Sequence, residues 1–234
     1  MRSINFIGGE KGGVGKSVLA RVLAQYFIDR NQPFIGFDTD RSHASFTRFY
    51  EEYASPVVVD TYESLDLIVA PFDGQADNDT NQRIIVDLAA QTTAPLGRWM
   101  RDSDLLPLMK ELGVTVNFWH VADAGKDSVD LLARLVDDVG QGPNYLVVRN
   151  LGRGSDFTLL EKSKALEWTL VLGGQLLTLP ALHEATMRKV DHLSASFWAA
   201  SNRGPGDDAL GLLERQRVKS WLRSAYQVFD ELQL

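Results

Sequence analysis

Near the start of the chain Lys11-Gly12-Gly13-Val14-Gly15-Lys16-Ser17 sets three glycines between two lysines, with a serine directly after the second. Gly12, Gly13 and Gly15 carry no side chain that would stop the backbone closing on an anion. Lys16 can reach the outer phosphates of a nucleoside triphosphate, and the Ser17 hydroxyl can ligate Mg²⁺. Nucleotide contacts are therefore expected from Gly12, Gly13, Val14, Gly15, Lys16, Ser17 and Val18. The match to the phosphate-loop pattern is not literal, because Glu10 stands where that pattern asks for a further glycine. Two sets of carboxylates could complete such a site. Asp38-Thr39-Asp40 follows the apolar Phe34-Ile35-Gly36-Phe37, and Asp87 follows Ile84-Ile85-Val86. An apolar strand ending in Asp downstream of a phosphate loop is the arrangement that holds Mg²⁺. Asp38 and Asp40 read in two ways, as a magnesium and water site facing the phosphates or as loop aspartates capping the next helix.

These residues need strands and helices to hold them. Ile4-Asn5-Phe6-Ile7 reads as a buried first strand. Val18, Leu19, Val22, Leu23, Tyr26 and Phe27 make one helical stripe after the glycines. The loop thus joins a strand to a helix N-terminus, which turns backbone N–H groups and a positive helix end toward an anion. Further strands are expected over Pro33–Asp38, Pro56–Asp60, Arg83–Asp87, Val114–Val121, Asn144–Asn150 and Leu176–Pro180. Helices are expected over Ala44–Tyr53, Tyr62–Ala70, Asp104–Leu112, Ser128–Val139, Thr158–Trp168, Glu184–Ala199 and Ala209–Leu232, with a polar loop over Gly74–Asn81. Strands alternating with helices imply an α/β fold, a mostly parallel twisted sheet with helices on both faces. At the carboxyl ends of such strands ligands bind, and that is where Asp40 and Asp87 fall.

The chain has 234 residues, 44% hydrophobic and 24% charged, with a net charge of −7 and no cysteine. That length fits one nucleotide-binding domain over residues 1–234. The charge argues against a broadly basic nucleic-acid binder but leaves room for a local basic patch. Lack of cysteine excludes disulfides and thiol-bound metal and is compatible with a cytoplasmic protein. No stretch approaches the ~20 apolar residues of a membrane span, and the immediate first strand argues against a leader peptide. His43, His120, His183 and His192 show no metal-ligand spacing.

The Lys-Gly-Gly-Val-Gly-Lys-Ser form, with Lys11 before the glycines, resembles the deviant phosphate loop of the ParA/MinD family of ATPases. The resemblance implies a phosphate-loop NTPase fold and the ligands ATP or ADP with Mg²⁺. It implies that Lys11 crosses the interface of an ATP-dependent homodimer to touch the partner's nucleotide. It also implies that Asp40 orients the attacking water with Asp38 in support, and that Leu88–Thr93 senses the γ-phosphate. The catalytic set is then Lys11, Lys16 and Asp40, and the metal set Ser17, Asp38, Asp40 and Asp87. Asn150 would bond the adenine, and the backbone near Pro180 would contact the base. The chain departs from the family in having Arg41-Ser42 after Asp40 and Ala89 two residues beyond Asp87, where the family tends to have proline.

Leu179-Pro180-Ala181-Leu182-His183-Glu184-Ala185-Thr186 and Glu214-Arg215-Gln216-Arg217-Val218-Lys219 look like the C-terminal region of TraL-type members, which are encoded with plasmid conjugation genes. A switch that slowly hydrolyses ATP and recruits a protein partner, in plasmid partition or conjugative transfer, is the function this implies. The rival is an ATP-dependent small-molecule synthetase of related fold, which would need a second substrate pocket beside the γ-phosphate. Arg215, Arg217, Lys219 and Arg223 make either a solvated helix face or a nonspecific DNA contact. The acidic Asp230-Glu231 end speaks against membrane insertion by that helix.

Overall fold

The computed structural model describes residues 1–73, 81–206 and 208–234; most of the polar loop expected over Gly74–Asn81 lies outside the described residues. The elements in chain order are β1 (Arg2–Gly8), α1 (Lys16–Asp29), β2 (Phe34–Asp38), α2 (Ser45–Phe49), β3 (Ala54–Pro56), α3 (Tyr62–Val69), β4 (Arg83–Asp87), α4 (Thr93–Asp102) and α5 (Leu105–Glu111). They continue with β5 (Val114–Ala122), α6 (Lys126–Val139), β6 (Asn144–Asn150), α7 (Thr158–Glu161), α8 (Lys164–Val171), β7 (Gln175–Leu179), α9 (Glu184–His192), α10 (Phe197–Asn202) and α11 (Leu212–Glu231).

Seven strands form one sheet in the order β3-β2-β4-β1-β5-β6-β7, and every pairing is parallel. The fold is the expected α/β phosphate-loop architecture. Successive strand side chains point to opposite faces, so both faces are apolar and both are covered. Ile4, Phe6, Ile84, Val86, Val116 and Phe118 pack with Leu65, Trp99, Met109 and Leu132 on one face. Ile7, Ile85, Trp119, Val121 and Val148 pack with Leu19, Leu23, Val218, Trp221 and Phe229 on the other. Central β1 lies between β4 and β5. The chain leaves β1 toward β2 on one side, returns at β4, then crosses to β5, so the crevice at the carboxyl end of β1 is the switch point of the sheet.

Several expected boundaries shift. The strand expected over Pro56–Asp60 lies instead at Ala54–Pro56, with Pro56 opposite Asp38. The last ladder bond runs from the Val57 N–H to the Asp38 carbonyl at 2.9 Å, where β2 ends. The helix expected over Ala44–Tyr53 is only Ser45–Phe49. Ala44 sits in the left-handed region at φ 44 and so cannot begin it. Thr158–Trp168 divides where the Ser163 hydroxyl accepts from the Leu166 N–H and starts α8 afresh. Glu184–Ala199 divides at left-handed Ser194, and Ser196 caps α10. Helix α4 (Thr93–Asp102), which begins at the end of the expected switch segment Leu88–Thr93, was not among the expected helices. Among the described residues no helix is long and apolar enough to cross a membrane.

Candidate functional site

The glycine loop runs from the end of β1 to the start of α1. Gly9 has φ 125, and a Cβ there would lie 2.6 Å from the Val121 carbonyl oxygen. Gly15 has φ 102, and a Cβ there would lie 2.2 Å from the Asn150 amide nitrogen. These two glycines let the loop fold back onto β5 and β6. Gly12 and Gly13 are exposed, with open space where a side chain would stand. Helix α1 has no acidic residue in its first turn and no side-chain cap, so its positive end is left for an anion. Lys16 is buried, and its Nζ donates to the carbonyls of Gly9 (2.9 Å) and Lys11 (3.1 Å). Burial lowers its pKa, while Asp87, Asp40 and Glu10 oppose that shift.

Asp87 lies 2% exposed at the end of β4. Neither of its carboxylate oxygens has a hydrogen-bond partner. Burial pushes its pKa up to about 7; the nearby Ser17 hydroxyl and Lys16 pull it down, and Asp38 and Asp40 raise it. A buried acid without partners, next to a hydroxyl and other carboxylates, suits a divalent cation. Asp38 is engaged differently. Its Oδ1 accepts from the Asp40 N–H at 3.0 Å, and its Oδ2 accepts from the N–H groups of Phe46 (2.8 Å) and Thr47 (3.0 Å), at the start of α2. Asp40 Oδ1 accepts from the N–H groups of Ser42 (2.9 Å) and His43 (3.1 Å), and its Oδ2 meets the His43 ring at 3.2 Å. Partial burial works against it, but those contacts hold the Asp40 carboxyl below its ordinary range. Among the described residues no three His, Asp or Glu side chains are arranged to hold a metal. A cation here would depend on Ser17, Asp87 and the oxygens of its own ligand.

The pair ahead of the glycines is anchored in two directions. Glu10 Oε1 accepts from the Thr93 N–H at 3.1 Å, at the start of α4. Lys11 Nζ lies 2.8 Å from Asp123 and 3.5 Å from Asp127, beside the start of α6. Its bond to Asp123 raises its pKa, with burial opposing. Asn150 and Pro180 come together with Val18, Leu179, Met187 and Arg188 around a cleft of ≈ 230 Å³. The Asn150 amide donates to the Val14 carbonyl at 2.7 Å, and its oxygen accepts from the Gly152 N–H at 3.0 Å. The Pro180 carbonyl accepts from the Trp221 indole at 2.7 Å. In the basic run of α11, Arg217, Lys219 and Arg223 are exposed, and Arg215 bonds the Leu210 carbonyl.

Sequence reasoning passed over Thr39, Asp123 and Ser128. The Thr39 hydroxyl donates to the Asp87 carbonyl at 3.1 Å and accepts from the Ala89 N–H at 2.7 Å, joining the two carboxylate loops. Its place between two aspartates was the signal available. Asp123 and Ser128 gave none, since they follow a strand at ordinary spacing. His120, also beneath the loop, is buried, and its Nε2–H donates to the Ser128 carbonyl at 2.8 Å; burial pulls its pKa down to about 4.

No family model matches the chain. It is 23% identical to the protein TraL of Escherichia coli, over 98% of each chain. It is 27% identical to the protein MobD of Acidithiobacillus ferrooxidans, over 98% of this chain and 97% of that one. Among solved structures, the MinD cell division protein of Aquifex aeolicus aligns over 97% of both chains with a TM-score of 0.54 at 13% identity. The chain therefore resembles MinD in fold, as its glycine loop implied, and TraL, as its C-terminal segments implied, and MobD in sequence along nearly its whole length.

Proposed function

From this ParA/MinD-like fold and TraL-like sequence, we propose that the chain is a Mg²⁺-dependent ATPase that works as a cytoplasmic molecular switch, a single domain that dimerises on ATP. One observation carries the reading: the partnerless Asp87 carboxylate stands beside Ser17 and buried Lys16, at a helix start left without an acid. Exposed Gly12 and Gly13, with Val14 and Gly15, would present N–H groups to the β- and γ-phosphates. Lys16 would exchange its two loop carbonyls for phosphate oxygens. Ser17 and Asp87 would hold Mg²⁺, which when bound neutralises charge on the phosphates. Asp40 would orient the attacking water, and Asp38 would fix that loop on α2. The cleft at Val18, Asn150 and Pro180 would receive the base. Lys11 would reach the nucleotide of a second subunit. Phosphoryl transfer needs positioning and charge neutralisation above all, so this set suffices for slow turnover. The ATP state would recruit a protein partner in plasmid transfer or partition, and DNA contact through α11 would be nonspecific.

Solution mass with ADP and with ATP and Mg²⁺, by light scattering, tests this on the native chain, Lys16→Ala, Lys11→Ala and Asp40→Ala. The native chain is expected to pass from monomer to dimer with ATP. Lys16→Ala should bind no nucleotide, Lys11→Ala should stay monomeric, and Asp40→Ala should stay dimeric with turnover reduced at least tenfold. An unchanged mass in every condition removes the switch reading. Phosphate release that requires a small carboxylate would favour the synthetase instead.

A further inference from the structure

The residue meant to leave its own subunit is held firmly inside it. Lys11 Nζ lies 2.8 Å from Asp123 and 3.5 Å from Asp127. An ammonium at a helix N-terminus faces the positive end of the macrodipole, so its position there depends on those carboxylates. Asp123 is itself fixed. Its Oδ1 accepts from the Ser128 hydroxyl at 2.8 Å and from the Gly125 N–H at 3.0 Å, leaving Oδ2 for Lys11. Gly125 makes the room: a Cβ there would stand 3.0 Å from Lys11 Nζ and 3.1 Å from Asp123 Oδ1. A fixed carboxylate, a second one behind it and a glycine-shaped gap make a seat for this lysine.

We propose that Asp123, with Asp127 behind it, is a positioning residue that parks Lys11 within its own subunit, so that two ATP-loaded subunits pair only when each Lys11 leaves this seat for the partner's nucleotide. This rests on the switch reading above. The seat sets the threshold of pairing. The partner's triphosphate offers Lys11 several closely spaced oxygens in place of one close carboxylate and a second at 3.5 Å, whereas a lone subunit has only the seat. Exchange of one anionic partner for another involves no covalent step.

The test is the dimerisation constant of the full chain with saturating ATP and Mg²⁺, by sedimentation, for the native chain and for Asp123→Asn, Gly125→Ala and Lys11→Ala. Asp123→Asn keeps the oxygen that holds the loop and removes the charge. Gly125→Ala keeps the charge and fills the gap. Each is expected to tighten pairing by about threefold per subunit, thus about tenfold per dimer, the scale of an exposed ion pair. Pairing unchanged or weakened by Asp123→Asn and Gly125→Ala, while Lys11→Ala still abolishes it, overturns the parking role and leaves the switch standing. Lys11→Ala that pairs like the native chain removes the switch reading and the parking role together. Weakened ADP binding alongside weakened pairing would make Asp123 a builder of its loop and also overturn the proposal.

Discussion

Asp87 concentrates the conflict at the residue scale between stability and site. Burial raises its pKa to about 7, while in the unfolded chain the same carboxyl titrates near 4. Between about pH 4 and 7 the folded, metal-free chain therefore keeps a proton that the unfolded chain has lost. Stability then falls as pH rises through that window. Asp87→Asn removes this ionisation. Urea unfolding of the metal-free variant is expected to show a gain of about 1–2 kcal/mol above pH 7, less than the full shift because the amide is also buried. His120 contributes the opposite slope, since its depressed pKa makes stability fall as pH drops from about 6.5 to 4. That slope is common to both proteins, so the difference between them isolates Asp87. The same substitution should abolish the Mg²⁺ dependence of nucleotide binding. A variant less stable than the native chain at pH 8 would show that Asp87 is an ordinary core residue.

At the scale of elements, the two loops that follow β2 and β4 behave as one unit through Thr39. Among the described residues its hydroxyl alone joins the Asp38–Asp40 turn to the Asp87–Ala89 turn by side-chain hydrogen bonds. Each loop also contains a non-glycine residue in the left-handed region, Ala44 at φ 44 and Gln91 at φ 65. Such strain persists only where surroundings fix it, and here Asp38 fixes α2 and Glu10 fixes α4. Thr39→Val keeps the shape and removes the hydroxyl, leaving the Ala89 N–H unpaired. Thermal unfolding should report a loss of about 1 kcal/mol. ATP turnover should drop several-fold while ADP binding stays near native, because the strut joins the loops and touches no base or ribose. Equal losses in ADP binding and turnover would contradict that division. Arg21 serves α1 similarly: it is 3% exposed, stacks 3.5 Å from the Phe49 ring of α2 and pairs with Asp191 of α9.

For the whole molecule, a polar ladder joins three neighbouring strands, buried at Asn5, Asn117 and Trp119 and reaching the surface at Asn144. Asn5 Oδ1 accepts from the Asn117 amide and the Trp119 indole, each at 3.0 Å, and the Asn144 amide donates to Asn117 at 3.1 Å. These bonds tie β1, β5 and β6 in one register, which is also the register that sets the glycine loop against Val121 and Asn150. Asn5→Ala would strand two buried donors, so chemical unfolding should register a loss of about 2–4 kcal/mol. A loss under 0.5 kcal/mol would mean that water or repacking replaces the ladder. The phosphate loop, the apolar strands and the aspartates at their ends were legible because each is written in neighbouring residues: glycines, a lysine and a serine in fixed order, or an apolar run closed by an acid. The ladder was not, since a lone Asn inside an apolar run reads as a flaw in the strand until its partners are known.

By itself the sequence determined the α/β class, the strand–loop–helix that faces a phosphate and the two strand ends carrying Asp40 and Asp87, because these follow from local spacing and side-chain alternation. The tertiary structure alone decided how those residues are employed. It turned Asp38 onto the start of α2, set the Asn150 amide on the Val14 carbonyl 136 residues away, and placed Lys11 against Asp123. It also moved β3 to Ala54–Pro56, shortened the helix expected over Ala44–Tyr53 and divided two others. The reason is physical: a residue's type and spacing fix which partners it can take, but a buried amide or carboxylate takes whichever donor the packed sheet and helices bring within hydrogen-bond reach.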